Sequence, residues 1–563
     1  MTIKTQTNPI VLDTETTDIN PHKAKLLFAT TFDGVMGQEF NNFPSWHSEP
    51  LKIVGHNAKY DAIVLTKNVG GTPVIAFDTM IAQYLLRIDR PKKLESCVKD
   101  YYTWNKEDLQ QVYNRVTGEN RKSLPNKWWE KIPRKDLFRY GVEDAEATYK
   151  LWQDLNTQLY EKNLNDWYYN IEMPFANILV QTELEGIKID KEKLQNLEIE
   201  FQRHAHKYET KLKRILGDIN LNSSLQLRKV LFETLHLKST KKTKTGELST
   251  DHHVLEKLSK RHAVAQWLLQ YKEVQKLIST YTSSILTELD SNDKLHCNFN
   301  QCGTKTRRMA SDSPNLQNIP VKSEYGKQIR ECFIPEKGHK FYKFDYDQIE
   351  LRLLAHFSKE PKLITAFKNR IDIHSQTAGL IGGQLGKEFS RDNGKILNFS
   401  IVYGKSAYTF AQEWNCSEQE AQQIIDIYFN QYPKVKEWME EQIAETKRNK
   451  GWTKTLMGLP LYIDGLFSNN KWEREHAERM AVNYPIQGSS QDVLKKGVVA
   501  LYTQYLCTQY KNVVPLLLVH DELIYEVPTD LDCLNAYKFT LENEVHIDVP
   551  IIASAKESEY WTK

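Results

Sequence analysis

The sequence predicts a multidomain protein, α/β at its N-terminal end and α+β behind it, and three observations carry that prediction. The chain has 563 residues, room for three or four domains at roughly 100–200 residues each. Up to about residue 155, short apolar runs such as Ile10–Leu12 and Lys52–Val54 alternate with helical patterns and are followed by polar, acidic residues, which is an α/β signature. From about 156 to 290 the pattern is helical and highly charged. Past 291 strand-like runs return, at Lys340–Phe344 and Val513–Val527, on either side of a long helical block over about 360–500. No internal repeat or low-complexity tract interrupts this order.

Composition bounds the possibilities. With 40% apolar and 26% charged residues the chain reads as globular. A net charge of +2 does not announce a polyanion binder, although a basic groove and acidic sites cancel in such a sum. Twelve Trp and 28 Tyr offer faces for stacking bases, though most such rings serve as core. Seven irregularly spaced Cys fit a reducing compartment. His296, Cys297 and Cys302 lie close in sequence, yet no second pair completes a zinc site. Met1–Thr7 carries no apolar secretory core and no apolar run reaches membrane-span length. A soluble, cytoplasmic protein is expected. The basic run Lys238–Gly246 reads either as a solvated loop or as a phosphate-gripping hairpin.

The first chemistry-bearing pattern is Val11-Leu-Asp-Thr-Glu-Thr-Thr17. Strand side chains alternate, so Asp13 and Glu15 share a face, and two like charges side by side call for a cation. Taken singly, such a pair is a common accident. His56-Asn-Ala-Lys-Tyr-Asp61 adds a third carboxylate, and Tyr140-Gly-Val-Glu-Asp144 adds a fourth with a Tyr one helical turn before it. Four carboxylates suit two Mg²⁺ ions, which together activate water and stabilise a leaving oxygen at a phosphodiester. This set, in this order, resembles the proofreading 3′→5′ exonucleases of RNase H-like fold whose third motif carries Tyr. The resemblance implies that Asp13, Glu15, Asp61 and Asp144 are metal ligands or their supports, and that Tyr140 orients the attacking water.

The second pattern is spread over three segments. Phe344-Asp-Tyr-Asp-Gln-Ile-Glu-Leu-Arg352 puts Asp345 at the end of an apolar strand, and Leu516-Leu-Leu-Val-His-Asp-Glu522 puts Asp521 and Glu522 at the end of another. Each alone reads equally well as an ordinary turn Asp; if the strands share a sheet, the carboxylates meet. Between them, Arg391, Lys395, Phe399 and Tyr403 recur every four residues, along one gently winding helix stripe. Cations at one end and rings at the other fit a triphosphate with its sugar and base. Gly394 inside that helix costs about 1 kcal/mol relative to Ala.

These three segments resemble motifs A, B and C of the family A DNA polymerases. Further resemblances are Thr306-Arg-Arg-Met-Ala-Ser311, Pro314-Asn-Leu-Gln-Asn-Ile-Pro320, Asp372-Ile-His374 and Glu478-Arg-Met-Ala-Val-Asn-Tyr-Pro-Ile-Gln-Gly488. The stretch from Asn220-Leu-Asn-Ser-Ser224 to Ser279-Thr-Tyr-Thr282 looks like that family's thumb. The resemblance implies an exonuclease domain at 1–155 and a right-handed polymerase behind it. The palm would be split over 156–200, 291–358 and 501–563, the thumb would be 201–290 and the fingers 359–500. It also implies the roles. Asp345, Asp521 and the Tyr346 carbonyl hold two Mg²⁺ ions, with Mn²⁺ as a substitute, and Glu522 joins the catalytic set. Arg391, Lys395 and His374 neutralise the triphosphate, and Lys395 protonates the pyrophosphate. Gln348, Glu350, Phe399 and Tyr403 complete the nucleotide site, Glu350 excluding a ribose 2′-hydroxyl. Arg308 and Gln487 test pair shape through minor-groove acceptors, with Asn315, Gln317, Arg479, Asn483 and His520 also on the DNA.

Departures from the family pattern are informative. Asp347 stands where Ser is usual, Arg307 where Gly is usual, and Ala310 where Ser is usual. Phe399 in place of Tyr implies poor use of dideoxynucleotides. No 5′-nuclease precedes the exonuclease, so no flap cleavage is expected, and the thumb shows no long insertion for a processivity factor. The expected partners are primer–template DNA and deoxynucleoside triphosphates, with a helicase or single-strand-binding protein beside a monomeric enzyme. The compact layout suggests a phage or prophage source by analogy. Two rival readings explain less of the sequence. An RNase D-like nuclease explains residues 1–155 but not the second carboxylate pair, and a non-catalytic scaffold would have lost a carboxylate.

Overall fold

The computed structural model describes residues 9–40, 50–239, 241–243, 245–320, 323–414, 416–505 and 514–562. Met1–Thr7, Val513, Cys507 and, within the basic run, Thr240 and Lys244 lie outside them. The chain divides into two compact units, the larger made of Met1–Glu185, Phe299–Ala310 and Tyr342–Glu557.

In the larger unit, strands β1 (Ile10–Thr16), β2 (Leu26–Phe32), β3 (Gly37–Glu39), β4 (Lys52–Gly55) and β5 (Val74–Asp78) form one sheet, in the order β3-β2-β1-β4-β5. β1 pairs antiparallel with β2 and parallel with β4. The parallel pair β4–β5 is bridged by helix α1 (Ala58–Val69), and α2 (Thr79–Leu86) follows at once. Buried Val11, Leu12, Ile53, Val54, Ile75 and Phe77 fill the sheet's core. One carboxylate organises this corner: Asp78 accepts from the N–H groups of Asn57 and Ala58 at 3.2 and 2.8 Å and from Met80 and Ile81 at 2.8 and 3.2 Å. It therefore caps α1 and α2 together, satisfying N-terminal donors that burial would otherwise leave unpaired. Helix α3 (Arg134–Glu161) buries Leu137, Gly141, Ala145, Thr148, Leu151, Leu155 and Leu159, a spacing of three and four that gives one apolar stripe. Helix α4 (Met173–Glu185) completes this half.

The rest of the larger unit is built on a four-stranded sheet. β6 (His339–Tyr346) leads into α5 (Ile349–Ser358), and α6 (Ile373–Leu385) and α7 (Arg391–Val402) pack together. A ribbon, β7 (Trp452–Lys454) with β8 (Pro460–Tyr462), interrupts the block that sequence reads as wholly helical. Three-residue strands are too short to show a period of two. Helix α8 runs from Lys471 to Tyr505 with Pro485 inside it. β9 (Pro515–Val519) and β10 (Glu522–Pro528) form the expected hairpin, and β11 (Ala553–Ser558) closes the sheet in the order β9-β10-β6-β11.

The smaller unit comprises Gly186–Asn298, Ser311–Phe341 and Ser558–Lys563. The helix Lys191–Leu216, capped by Asp190, packs against the helix Ala263–Leu277. A bridge between Lys242 and Leu248 gives the basic run a hairpin form. Asn315 and Gln317 belong to this unit, at a short turn Leu316–Asn318. The six described cysteines are free. Among the described residues no helix is long and apolar enough to cross a membrane.

Candidate active sites

The first carboxylate set forms at one end of the N-terminal sheet. Asp13 and Glu15 lie within β1, Asp61 is in the first turn of α1, and Tyr140 and Asp144 are on α3. Asp61 accepts from the Thr14 hydroxyl at 2.6 Å and the Thr14 N–H at 3.1 Å, which ties α1 to β1. Gly141 lets α3 lie against this strand, since a Cβ there would stand 3.1 Å from Glu15 Oε1. Burial lifts Asp61 to about 7 against the two Thr14 hydrogen bonds. It lifts Asp144 to about 6 against the pull of Lys106. Asp13 and Glu15 are held well above the usual carboxylate range by burial and then by the neighbouring charge of Asp144. Mutual repulsion of this kind is what a cation relieves.

Sequence reasoning missed Lys106. It is buried, forms an ion pair with Asp144, and sets its ammonium 4.2 Å from the centre of the Tyr140 ring. No local pattern marks it, because it lies in a loop between the second and third motifs and reaches the site only through the fold. The donor chemistry fits hard divalent cations: four carboxylates converge, and Glu15 Oε1 is buried without a hydrogen-bond partner. As the side chains stand, however, no group of three or more His, Cys, Asp or Glu among the described residues is placed to hold a metal ion.

The second set forms where β6 and β10 lie side by side. Asp345 is in β6, Asp521 is in the turn before β10, and the Tyr346 N–H donates to the Asp521 carbonyl at 3.3 Å. Two residues remote in sequence thus share one sheet end, as the pattern requires. The Tyr346 hydroxyl donates to the Leu541 carbonyl at 3.1 Å. The Asp345 and Asp521 carboxylates and the Tyr346 backbone carbonyl are all oxygen donors, the chemistry a hard divalent cation takes. Glu522 is buried and lies 3.3 Å from Lys343. Asp347, half-exposed, pairs with Arg352 at 3.4 Å, so its extra charge is matched by a neighbour. Gln348 has a left-handed φ of 54° at the start of α5 and buries an Oε1 without a partner.

Helix α7 carries the stripe Arg391, Lys395, Phe399 and, at its C-terminal cap, Tyr403. Phe399 and Tyr403 stack at 6.0 Å and 24°. Arg391 is held by Asp372 at 2.7 Å, while Lys395 is exposed. A cavity of about 1170 Å³ opens beside them, lined among others by Asp347, Gln348, Asp372 and Arg391. His374 is 1% exposed and bonded to Asn398 at 3.1 Å, and burial and then Arg391 push it toward the neutral form. Gly394 also finds its reason here, because a Cβ would stand 2.0 Å from the His374 carbonyl oxygen.

Glu350 is held from two sides, by an ion pair with Arg308 and by the Tyr403 hydroxyl donating at 3.0 Å. Arg479, Asn483 and Gln487 follow one another along α8. Asn483 is buried and donates to the Val402 carbonyl at 3.4 Å, which supports the end of α7. Gln491, one turn past Gln487, was also missed. It accepts from the Met309 N–H at 3.2 Å and donates to the His520 carbonyl at 3.4 Å, joining the Arg308 segment to the Asp521 turn.

The sequence profile of DNA polymerase family A matches residues 191–563, about two thirds of the chain. The chain belongs to DNA polymerase family A. A 3′-5′ exonuclease profile matches residues 2–160 of the same family A chain. The DNA polymerase I of Borreliella burgdorferi is 34% identical over 98% of this chain and 62% of its own length. Those of Caldicellulosiruptor bescii and Bacillus subtilis are 40% and 37% identical over 73% and 86% of this chain. The chain spans only 49% and 55% of these last two relatives. Among solved structures, the POL domain of Pol1 from M. smegmatis, in complex with DNA primer-template and dNTP, superposes with a TM-score of 0.85 at 27% identity. That match covers 98% of this chain and 95% of that one.

Proposed function

We propose that this family A protein is a DNA-directed DNA polymerase that adds deoxynucleotides to a primer 3′ end, with a separate 3′→5′ exonuclease that removes mispaired ends. The observation that carries the reading is the meeting of Asp345 and Asp521 at one sheet end. The stripe of Arg391, Lys395, Phe399 and Tyr403 on α7 supports it. Asp345, Asp521 and the Tyr346 carbonyl would hold divalent cations, with Mg²⁺ the expected ion. When bound, the pair would activate the primer hydroxyl and neutralise the triphosphate. Arg391 would leave Asp372 for the phosphates, Lys395 would supply a proton to the departing pyrophosphate, and His374 would donate its N–H. Glu350, fixed by Arg308 and Tyr403, would fill the space a 2′-hydroxyl needs. At the other site Asp13, Glu15, Asp61 and Asp144 would hold the cations and Tyr140 would orient the water.

Primer–template DNA and deoxynucleoside triphosphates are the proposed substrates. The test is extension of a labelled primer with Mg²⁺ and four deoxynucleotides, wild type beside Asp345→Asn. Extension by wild type and only shortening by the variant is the expected result. Shortening by both proteins would leave a nuclease and remove the polymerase.

A further inference from the structure

Arg307 stands where the family pattern has Gly, and the backbone shows why Gly is usual: its φ is +64°, a left-handed value that a long side chain rarely adopts. The side chain is nevertheless only 1% exposed. Its guanidinium lies 5.3 Å from the centre of the Tyr84 ring on α2. It donates to the Leu85 carbonyl at 3.3 Å and to the Pro460 carbonyl of the β8 ribbon at 2.8 Å. The contacts around it run the same way. The Tyr84 hydroxyl donates to the Thr304 carbonyl at 2.8 Å, Lys92 to the Cys302 carbonyl at 2.7 Å, and the Thr304 hydroxyl to the Arg308 carbonyl at 2.9 Å. Helix α2 begins at Asp78, the residue that also caps α1 and so fixes the helix bearing Asp61. A continuous chain of contacts therefore joins the helix that carries Asp61 to the segment that carries Arg308.

We propose that Arg307 is a positioning residue of the polymerase site. It locks the Cys302–Arg308 segment to α2 and to the β7–β8 ribbon, so that Arg308 is held against Glu350 and, with Tyr403, fixes the carboxylate that excludes ribonucleotides. The anchor is one nitrogen, Nη2, which makes both hydrogen bonds, together with the Tyr84 ring, while Nε and Nη1 are buried without a hydrogen-bond partner; a mobile Arg308 would free Glu350 to turn away from the sugar. This inference rests on the polymerase reading above.

The test is a double-mutant cycle read as the ratio of kcat/KM for deoxynucleotides to that for ribonucleotides. Arg307→Met keeps the stem and removes the hydrogen bonds, and Arg307→Gly removes the side chain at a φ that Gly accepts. The rate on single-stranded DNA at the exonuclease site reports that the fold survives. The expected result is a fall in the ratio of about tenfold in both variants, with the single-strand rate unchanged. Arg307→Met/Arg308→Ala should be no worse than Arg308→Ala alone. A ratio within about twofold of wild type, losses that multiply in the double variant, or a parallel fall in the single-strand rate would each overturn the proposal. A wild type that extends no primer removes the polymerase reading itself, and this inference with it.

Discussion

Lys106 illustrates how much a single buried side chain decides. It touches the acid of Asp144 and the face of Tyr140 at once, two groups assigned above to metal binding and to water orientation. A cation over a ring and against a carboxylate fixes both orientations. Its charge also opposes the burial, and after it the repulsion, that lift Asp13, Glu15 and Asp144. Lys106→Met keeps the stem and removes the charge, and the exonuclease rate on a single-stranded oligonucleotide should fall by about 10- to 100-fold, the range for a misplaced catalytic group. Primer extension should stay at the wild-type rate, since Lys106 touches Asp144, Tyr140 and its own loop. An unchanged nuclease rate would mean that Lys106 orients neither group.

At the scale of elements, the approach of α6 to α7 is set by one missing Cβ. Ala at position 394 gains about 1 kcal/mol of helix propensity, but its Cβ would stand 2.0 Å from the backbone oxygen of His374, which no rotamer change can move aside. Overpacking of this kind costs about 1–3 kcal/mol and so outweighs the propensity gain. Gly394→Ala should therefore lower the unfolding midpoint. It should also raise KM for the incoming nucleotide, because Arg391, Lys395 and Phe399 move with α7 while His374 moves with α6. A wild-type KM with a raised midpoint would show that propensity wins. The sequence makes the helix stripe readable because periodicity is local, and it makes Asp13, Glu15, Asp61 and Asp144 readable because each sits in a short ordered motif. It does not disclose the reason for Gly394, the burial of His374, or the support that Asn483 gives to Val402. Each of those depends on a neighbour brought in by tertiary packing. The β7–β8 ribbon stays hidden because three-residue strands carry too little pattern.

Across the larger unit, a buried polar layer ties distant segments together. Glu172 accepts from Lys495 at 2.8 Å, from Trp167 at 2.9 Å and from Gln301 at 2.8 Å, joining α8 to the exonuclease half and to the Arg307 segment. Asp492, on α8 one turn before Lys495, is 1% exposed and leaves Oδ2 without a hydrogen-bond partner. Burial raises it to about 6, against the pull of Thr455, Arg307 and Lys495. The sign follows from linkage. Between the ordinary Asp range near 4 and about 6 the folded chain keeps a proton that the unfolded chain has released, so this group's contribution is present below about 4 and is lost as pH rises through 6. The full difference is about 3 kcal/mol at one pKa unit per 1.36 kcal/mol. Asp492→Asn has no proton to lose, so its stability relative to wild type should climb between pH 4 and about 6 and level off above 7. Unfolding midpoints of both proteins, measured in parallel across that range, check it. A pH-independent difference between the two would mean that Asp492 is solvated well enough in the folded chain to ionise at its ordinary value.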